Sequence, residues 1–243
     1  MRIDLLTLFP AMCEAVLGES ILGRARRADM ITLQCHDIRA FSKDKHRHVD
    51  DYPYGGGPGM VMQPGPIFDC FADLCGRLRK RPYLIYLSPK GTRFDHKTAL
   101  RLSQMENLCL LCGHYEGVDE RVITEIVDEE ISIGDFVLTG GELPALCVAD
   151  AVARLVPGVL AGEESWKEES VASGLLEYPQ YTRPPIYHGQ EVPPVLLSGN
   201  HAHIARFHHE TALTRTAESR PDLLEKISLS EEDRLFLTQK SSN

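Results

Sequence analysis

The stretch Tyr83-Leu-Ile-Tyr-Leu-Ser-Pro-Lys-Gly91 decides the fold. Its first five residues are apolar without a break, and a Ser-Pro-Lys-Gly turn follows. Strict alternation would mark a sheet wet on one face. A continuous apolar run marks a strand covered on both faces, as in parallel sheets flanked by helices. The same grammar repeats outward from it. Helical Pro66–Lys80 precedes it. Helical Asp95–Gln104, strand Leu108–Cys112, a short helix near Val118–Glu125, strand-like Asp128–Ile133 and helical Leu143–Val156 follow. Toward the N-terminus, Arg2–Phe9 and Ile31–Ile38 read as strands around helical Met12–Ala28, with Ser20 a cap or break. This alternation predicts an α/β domain with a mainly parallel sheet over residues 1–160. Between strand and helix lies the polar stretch Asp37–Pro58; loops of that length inside compact domains are usually functional or mobile.

After Pro157-Gly158 the character changes. Residues 161–174 (AGEESWKEESVASG) are polar and acidic and read as an interdomain linker. Residues 175–243 carry two proline-rich stretches, Thr182–Pro185 and Val192–Pro194, and then helices only. One starts near Asn200, and one has Pro221 in its first turn. The last begins at Ser230, where Ser230-Glu-Glu-Asp233 fits a capping pattern. The C-terminal part is therefore expected to be a small helical domain.

In parallel α/β sheets, ligands bind beyond the carboxyl ends of the strands. Three glycine-bearing segments stand there: Leu87–Gly91, Cys112–Gly117 and Ile131–Gly141. One glycine in such a loop is usually a turn, but three in register point to a small-molecule pocket. No dinucleotide fingerprint follows a strand and no P-loop is present, which argues against an NAD-type oxidoreductase and a triphosphate cradle. An adenosine-bearing ligand held by backbone groups stays open. In helix Leu143–Val156, Asp150 and Arg154 lie four apart on one face. They are either a structural ion pair or an arginine aimed at developing negative charge.

Composition narrows the classes further. With 43% hydrophobic and 25% charged residues, the 243-residue chain suits a soluble globular protein. Its net charge of −9 is spread over both halves and argues against indiscriminate coating of nucleic acid or anionic membranes. No targeting segment or membrane span is read, and seven scattered cysteines suit a reducing cytoplasm. Cys109 and Cys112 form a C-x-x-C inside a strand, where residues three apart face opposite ways, so a structural role is expected. His201, His203, His208 and His209 lack zinc-site spacing and read as surface or RNA-facing. The cluster Lys43–His48 is the better phosphate candidate, and Arg77–Arg81 a solvated helix end.

Several of these segments together carry a family resemblance over nearly the whole chain. They are Asp51–Met62, Leu87–Gly91, Cys112–Arg121, Ser132–Ala145, Gly174–Pro184 and Val192–His201. The chain resembles the bacterial tRNA (guanine-N1)-methyltransferases. The resemblance implies a SPOUT-class α/β domain with a deep trefoil knot, and a homodimer with active sites at the subunit interface. It implies S-adenosylmethionine as methyl donor and 1-methylguanosine just 3′ of the anticodon (position 37) of tRNA as product. It places the cofactor on Tyr86, Leu87, Ser88, Gly113, Tyr115, Glu116, Ser132, Ile133, Gly134, Asp135, Phe136, Val137, Leu138, Gly140, Gly141 and Pro144. It turns Arg154 toward the target guanine, and it makes the linker region around Ser165–Ser170 a segment that orders over the site and carries the base, here Glu169. The helical domain becomes the tRNA-gripping part. Magnesium dependence is a family trait, with no dedicated site assignable here.

The implied chemistry is coherent. Guanine N1 carries a proton at neutral pH; a carboxylate removes it while arginine stabilises charge building on O6. The chain departs from the family pattern at three positions. Glu169 stands where Asp is usual, with Glu168 the fallback; Phe136 stands where Tyr is common; and Gln180 replaces a common His. Two other readings are a related enzyme acting on ribosomal RNA and a non-catalytic RNA-binding protein. The Leu197–His201 match argues against the first, and the intact cofactor loops with Arg154 against the second.

Overall fold

The computed structural model describes residues 1–162, 166–167 and 169–241. These fall into two compact units, Met1–Gly162 and Glu163–Asn243.

The first unit is built on five parallel strands: β1 (Arg2–Thr7), β2 (Thr32–Asp37), β5 (Tyr83–Arg93), β6 (Asn107–Cys112) and β7 (Glu129–Ser132). Their order is β2-β1-β6-β5-β7. The two-residue strand β3 (Asp50–Asp51), inside the long polar stretch, pairs antiparallel with β4 (Val61–Met62), just after it. Helices α1 (Pro10–Leu17), α2 (Ser20–Arg27), α3 (Pro64–Leu78), α4 (His96–Ser103), α5 (Glu120–Ile126) and α6 (Glu142–Ala153) complete it. Strand side chains alternate between two helical layers. Leu6, Leu84, Tyr86, Cys109 and Leu111 share a core with Ile67, Cys70 and Leu74 of α3 and Val122 of α5. The opposite-facing Leu5, Ile85, Leu110 and Cys112 are likewise buried, on the side of α6 with its buried Ala145, Val148, Ala149 and Val152. Each fully buried leucine is worth about 1.5–3 kcal/mol, which is why central strands with almost no polar residue are selected here.

Local chemistry sets the boundaries. Asp95 caps α4 by accepting from Thr98 N (2.8 Å), and Asp119 caps α5 by accepting from Arg121 N (2.9 Å). The helix expected over Met12–Ala28 is two helices, broken after Leu17 by Gly18 and Glu19. Strand β5 corrects the reading of Leu87–Gly91 as a plain loop. Leu87 and Thr92 both lie opposite Ile131, so residues 88–91 bulge out and the strand then resumes to Arg93. Gly91 permits this, because a Cβ there would collide with the Glu130–Ile131 backbone.

In the second unit, α7 (Pro194–Leu197), α8 (His201–Ser219), α9 (Pro221–Leu224) and α10 (Glu231–Ser241) follow a short hairpin of β8 (Ile186–Tyr187) and β9 (Gln190–Glu191). The hairpin was absent from the helices-only expectation. Its signal is His188-Gly189, both at positive φ (49° and 76°), the requirement of a tight two-residue turn. The capping pattern at Ser230 is realised: Ser230 Oγ accepts from Asp233 N and Asp233 Oδ2 from Ser230 N, both at 3.1 Å. Ala212, Leu213 and Leu223 are buried in this unit, and Tyr178 stacks flat on His208 at 3.5 Å. Of the expected linker, residues 163–165 and 168 lie outside the described residues. Val171 N donates to Leu175 O (2.9 Å) in the part that is described.

Candidate active site

The three glycine-bearing segments converge. A cavity of about 360 Å³ opens at the carboxyl ends of β5, β6 and β7, in the range of small-molecule sites. Tyr86, Leu87 and Ser88 enter from β5, Gly113, Tyr115 and Glu116 from the loop after β6, and residues 130–134 and 136–141, with Pro144 of α6, from β7 and the segment that follows it.

The glycines make the loops fit. A Cβ on Gly113 would stand 2.8 Å from the Tyr86 ring, and one on Gly141 would stand 2.8 Å from Gly113 N and Cys112 Cα. The backbones can therefore touch, and Gly141 N donates to Gly113 O at 2.8 Å. Burial, with Glu130 nearby, pushes the Tyr86 phenol above its ordinary range, so it stays a neutral wall. Ser132 Oγ accepts from Gly134 N (3.2 Å) and donates to Gly134 O (3.0 Å), curling the chain so that the Phe136 ring covers Gly134. Beyond it Phe136, Val137 and Leu138 are exposed, an apolar flap at the mouth. Glu116, Glu120 and Glu130 line the cavity with Lys90. The lining thus combines apolar walls, glycine backbone and carboxylates.

The glycine-rich stretch before α3 braces this floor. Glu116 N donates to Met60 O (2.9 Å), Met62 N to Gly117 O (2.9 Å) and Asp119 N to Met62 O (3.1 Å). The polar stretch is thus a folded support for the β6–α5 loop. Within its basic cluster, Lys43 pairs with Asp69 (2.9 Å) and His48 with Asp44 (3.0 Å).

A sequence profile described as tRNA (Guanine-1)-methyltransferase TrmD matches residues 1–226. A "tRNA (guanine-N(1)-)-methyltransferase" from Caldanaerobacter subterraneus is 56% identical, over 99% of this chain and 98% of that protein. Relatives of the same name from Alkaliphilus oremlandii (53%; 100% and 99% covered) and Bacillus subtilis (51%; 98% and 98%) are also similar. The chain belongs to the tRNA (guanine-1)-methyltransferase family.

In this family member, every expected cofactor residue lines the cavity except Asp135. Asp135 points away and pairs with Arg93 at 2.8 Å. Arg154 ends α6, half-buried, with its N–H on Asp150 O (3.1 Å); Asp150 itself is exposed. Glu169 belongs to the second unit, where its backbone donates to Trp166 O (3.3 Å) and accepts from Ser173 N (3.2 Å). Neither Arg154 nor Glu169 is among the lining residues. Glu168 lies outside the described residues. Cys109 and Cys112 are both buried and free, and burial pushes both thiols well above their ordinary range. Cys109 sits in the core beneath α3, and Cys112 lies near Cys13 and Glu142. Among the described residues, no group of three or more metal-type side chains is arranged to hold an ion, and no helix is long and apolar enough to cross a membrane.

Sequence reasoning missed a buried polar group behind the cavity. Glu142, 2% exposed, accepts from Thr7 Oγ1 (2.7 Å) and pairs with His114 Nε2 (2.9 Å). The available signal was an acidic residue in the first turn of an otherwise apolar helix. Nothing local says that it turns inward.

Proposed function

We propose that this chain transfers a methyl group from S-adenosylmethionine to N1 of the guanosine immediately 3′ of the anticodon (position 37) in tRNA. The observation that carries this reading is the convergence of three glycine-bearing loops on one cavity in a member of this family. The cavity suits the cofactor: side-chain-free Gly113, Gly140 and Gly141 in its lining leave room for an adenosine against the backbone, and its carboxylates suit a ligand with a positive sulfur. When bound, S-adenosylmethionine supplies an electrophilic methyl group.

The chain's own groups do the rest. Glu169 takes the proton from guanine N1, and Arg154 stabilises negative charge on O6, so that N1 presents a free electron pair. Glutamate reaches one methylene further than the usual aspartate. Residues 161–174 bring the base to the substrate, residues 1–160 form the cofactor domain with its SPOUT-class trefoil knot, and residues 175–243 grip tRNA. The close pass of Gly141 against Gly113 suits a chain drawn through such a knot. The enzyme works as a cytoplasmic homodimer. Met12 and Val16 on α1 and Leu143 on the adjoining α6 are exposed apolar residues of the kind a partner subunit covers.

Methyl transfer from labelled S-adenosylmethionine to unmodified tRNA transcripts tests the reading. Transcripts with G after the anticodon become labelled, and those with A do not. Equal labelling of the two contradicts N1-guanine chemistry.

A further inference from the structure

The carboxylate behind the cavity is held on both oxygens. Thr7 Oγ1 accepts from Phe9 N (2.9 Å), so its single proton goes to Glu142 Oε1. His114 Nε2 meets the other oxygen, Oε2. Both carboxylate oxygens are thus held by protein groups in place of water. Glu142 begins α6, where the helix dipole favours negative charge, and Thr7 ends β1, an inner strand of the sheet, and is fully buried. Both are fixed points of the fold.

His114 is different: it belongs to the loop that forms the cavity floor. Its neighbour Tyr115 has φ 58°, a left-handed conformation that a side chain disfavours, and Gly117 has φ 126°. A loop bent this way relaxes unless it is tied. Backbone ties exist at Gly113 and Glu116, and His114 bridges to Gly140. Gly140 is forced to be glycine by the same pair, since a Cβ there would run into the His114 ring and stand 2.7 Å from Glu142 Oε2. The imidazole–carboxylate contact thus clamps two cavity loops to each other and to two rigid elements.

We infer that Glu142 is a positioning residue for the cofactor cavity: through His114 it holds Tyr115 and Glu116 in their binding conformation. This rests on the reading that the cavity takes S-adenosylmethionine. The clamp adjoins the cavity, where His114 is itself a lining residue, so a loss of cofactor affinity distinguishes it from a general contribution to folding.

Calorimetric titration with S-adenosylmethionine, thermal melting and steady-state kinetics on the full chain test it. Glu142→Gln keeps the shape but gives one of its two donors an amide N–H to face; affinity for S-adenosylmethionine falls about tenfold or more. The KM for S-adenosylmethionine rises with it, while the KM for tRNA stays within about twofold. Thr7→Val removes the donor on the other oxygen without changing shape, lowers affinity in the same direction, and carries the test if Glu142→Gln does not fold. Affinity within about twofold of wild type in both variants, or equal rises in both KM values, overturns the inference. Wild-type protein that binds no S-adenosylmethionine overturns the reading of the cavity, and this one with it, before any variant is compared.

Discussion

Two carboxylate–imidazole pairs of the first unit have a buried carboxylate, and they differ in what surrounds them. Asp4, fully buried on β1, faces His36 Nε2 at 2.6 Å and takes two bonds from Arg2 (both 2.7 Å). Arg2 also reaches Gln34 (2.6 Å), and Arg77 of α3 donates to His36 Nδ1 (3.1 Å). Because arginine only donates, the His36 proton must sit on Nε2, toward Asp4. Every member stands on a strand or a helix. Glu142 has fewer partners, and its imidazole stands on a loop: the His114 side chain is 19% exposed against 4% for His36. The lesson is that similar chemistry serves two ends. A pair closed inside regular elements stabilises the sheet, whereas a pair reaching from a helix to a loop fixes a binding surface.

The largest effect expected from breaking this contrast is at Asp4. Asp4→Ala leaves Arg2 and His36 without their shared acceptor and costs about 3–5 kcal/mol in urea denaturation, as removal of one member of a buried pair does. Its pH dependence follows from the same contacts. Burial alone would raise the Asp4 carboxyl, but the hydrogen bonds from His36 and Arg2 outweigh it, and the group is held below the ordinary aspartate range. A folded-state value below the unfolded one contributes stability that is complete above about pH 4 and lost as pH falls through the lower folded value. Asp4→Asn flattens that acid limb. S-adenosylmethionine affinity of the folded protein at neutral pH stays at the wild-type level in both variants; a fall comparable to that of Glu142→Gln would erase the distinction between the two pairs.

A smaller effect, placed on the other side of the comparison, is expected from Gly140→Ala. The added methyl meets the His114 ring and Glu142, so the clamp must open or the loop must shift. Overpacking of this kind costs about 1–3 kcal/mol. Because the strain falls on the cavity floor, cofactor affinity falls out of proportion to stability. Urea denaturation beside calorimetric titration separates the two. A loss of stability with unchanged affinity would assign the clamp to the scaffold.

This contrast also explains what was legible in the sequence. The strands Leu84–Leu87 and Leu108–Cys112 announce themselves because burial on both faces leaves no polar residue to confuse the pattern. The cavity loops were legible because close backbone approach demands glycine at Gly113, Gly140 and Gly141, and glycine is visible. The bulge at Ser88–Gly91 was not, because it depends on which residues of β7 lie opposite, a pairing with no local signature. Nor was Glu142: a glutamate in a first helical turn ordinarily faces water, and only the return of the chain beside Thr7 and His114 turns it inward. The hairpin at Ile186–Glu191 escaped for a third reason, being too short to show alternation.

Phe136 sharpens the comparison from outside both pairs. It lies on the flap, 53% exposed, with its ring over Gly134. If the cavity is positioned from behind, by the Glu142 clamp, the flap contributes apolar cover rather than a polar contact to the loops. Phe136→Tyr adds one hydroxyl at a solvent-facing edge, where substitutions change stability by no more than about 0.5 kcal/mol. Cofactor affinity then moves by less than about threefold, a small fraction of the Glu142→Gln effect, because nothing on the scaffold side depends on the flap. A gain of about tenfold or more in titration would place a missing polar anchor at the mouth. Positioning would then be shared between the front and the back of the cavity, and the clamp at Glu142 would be one of two.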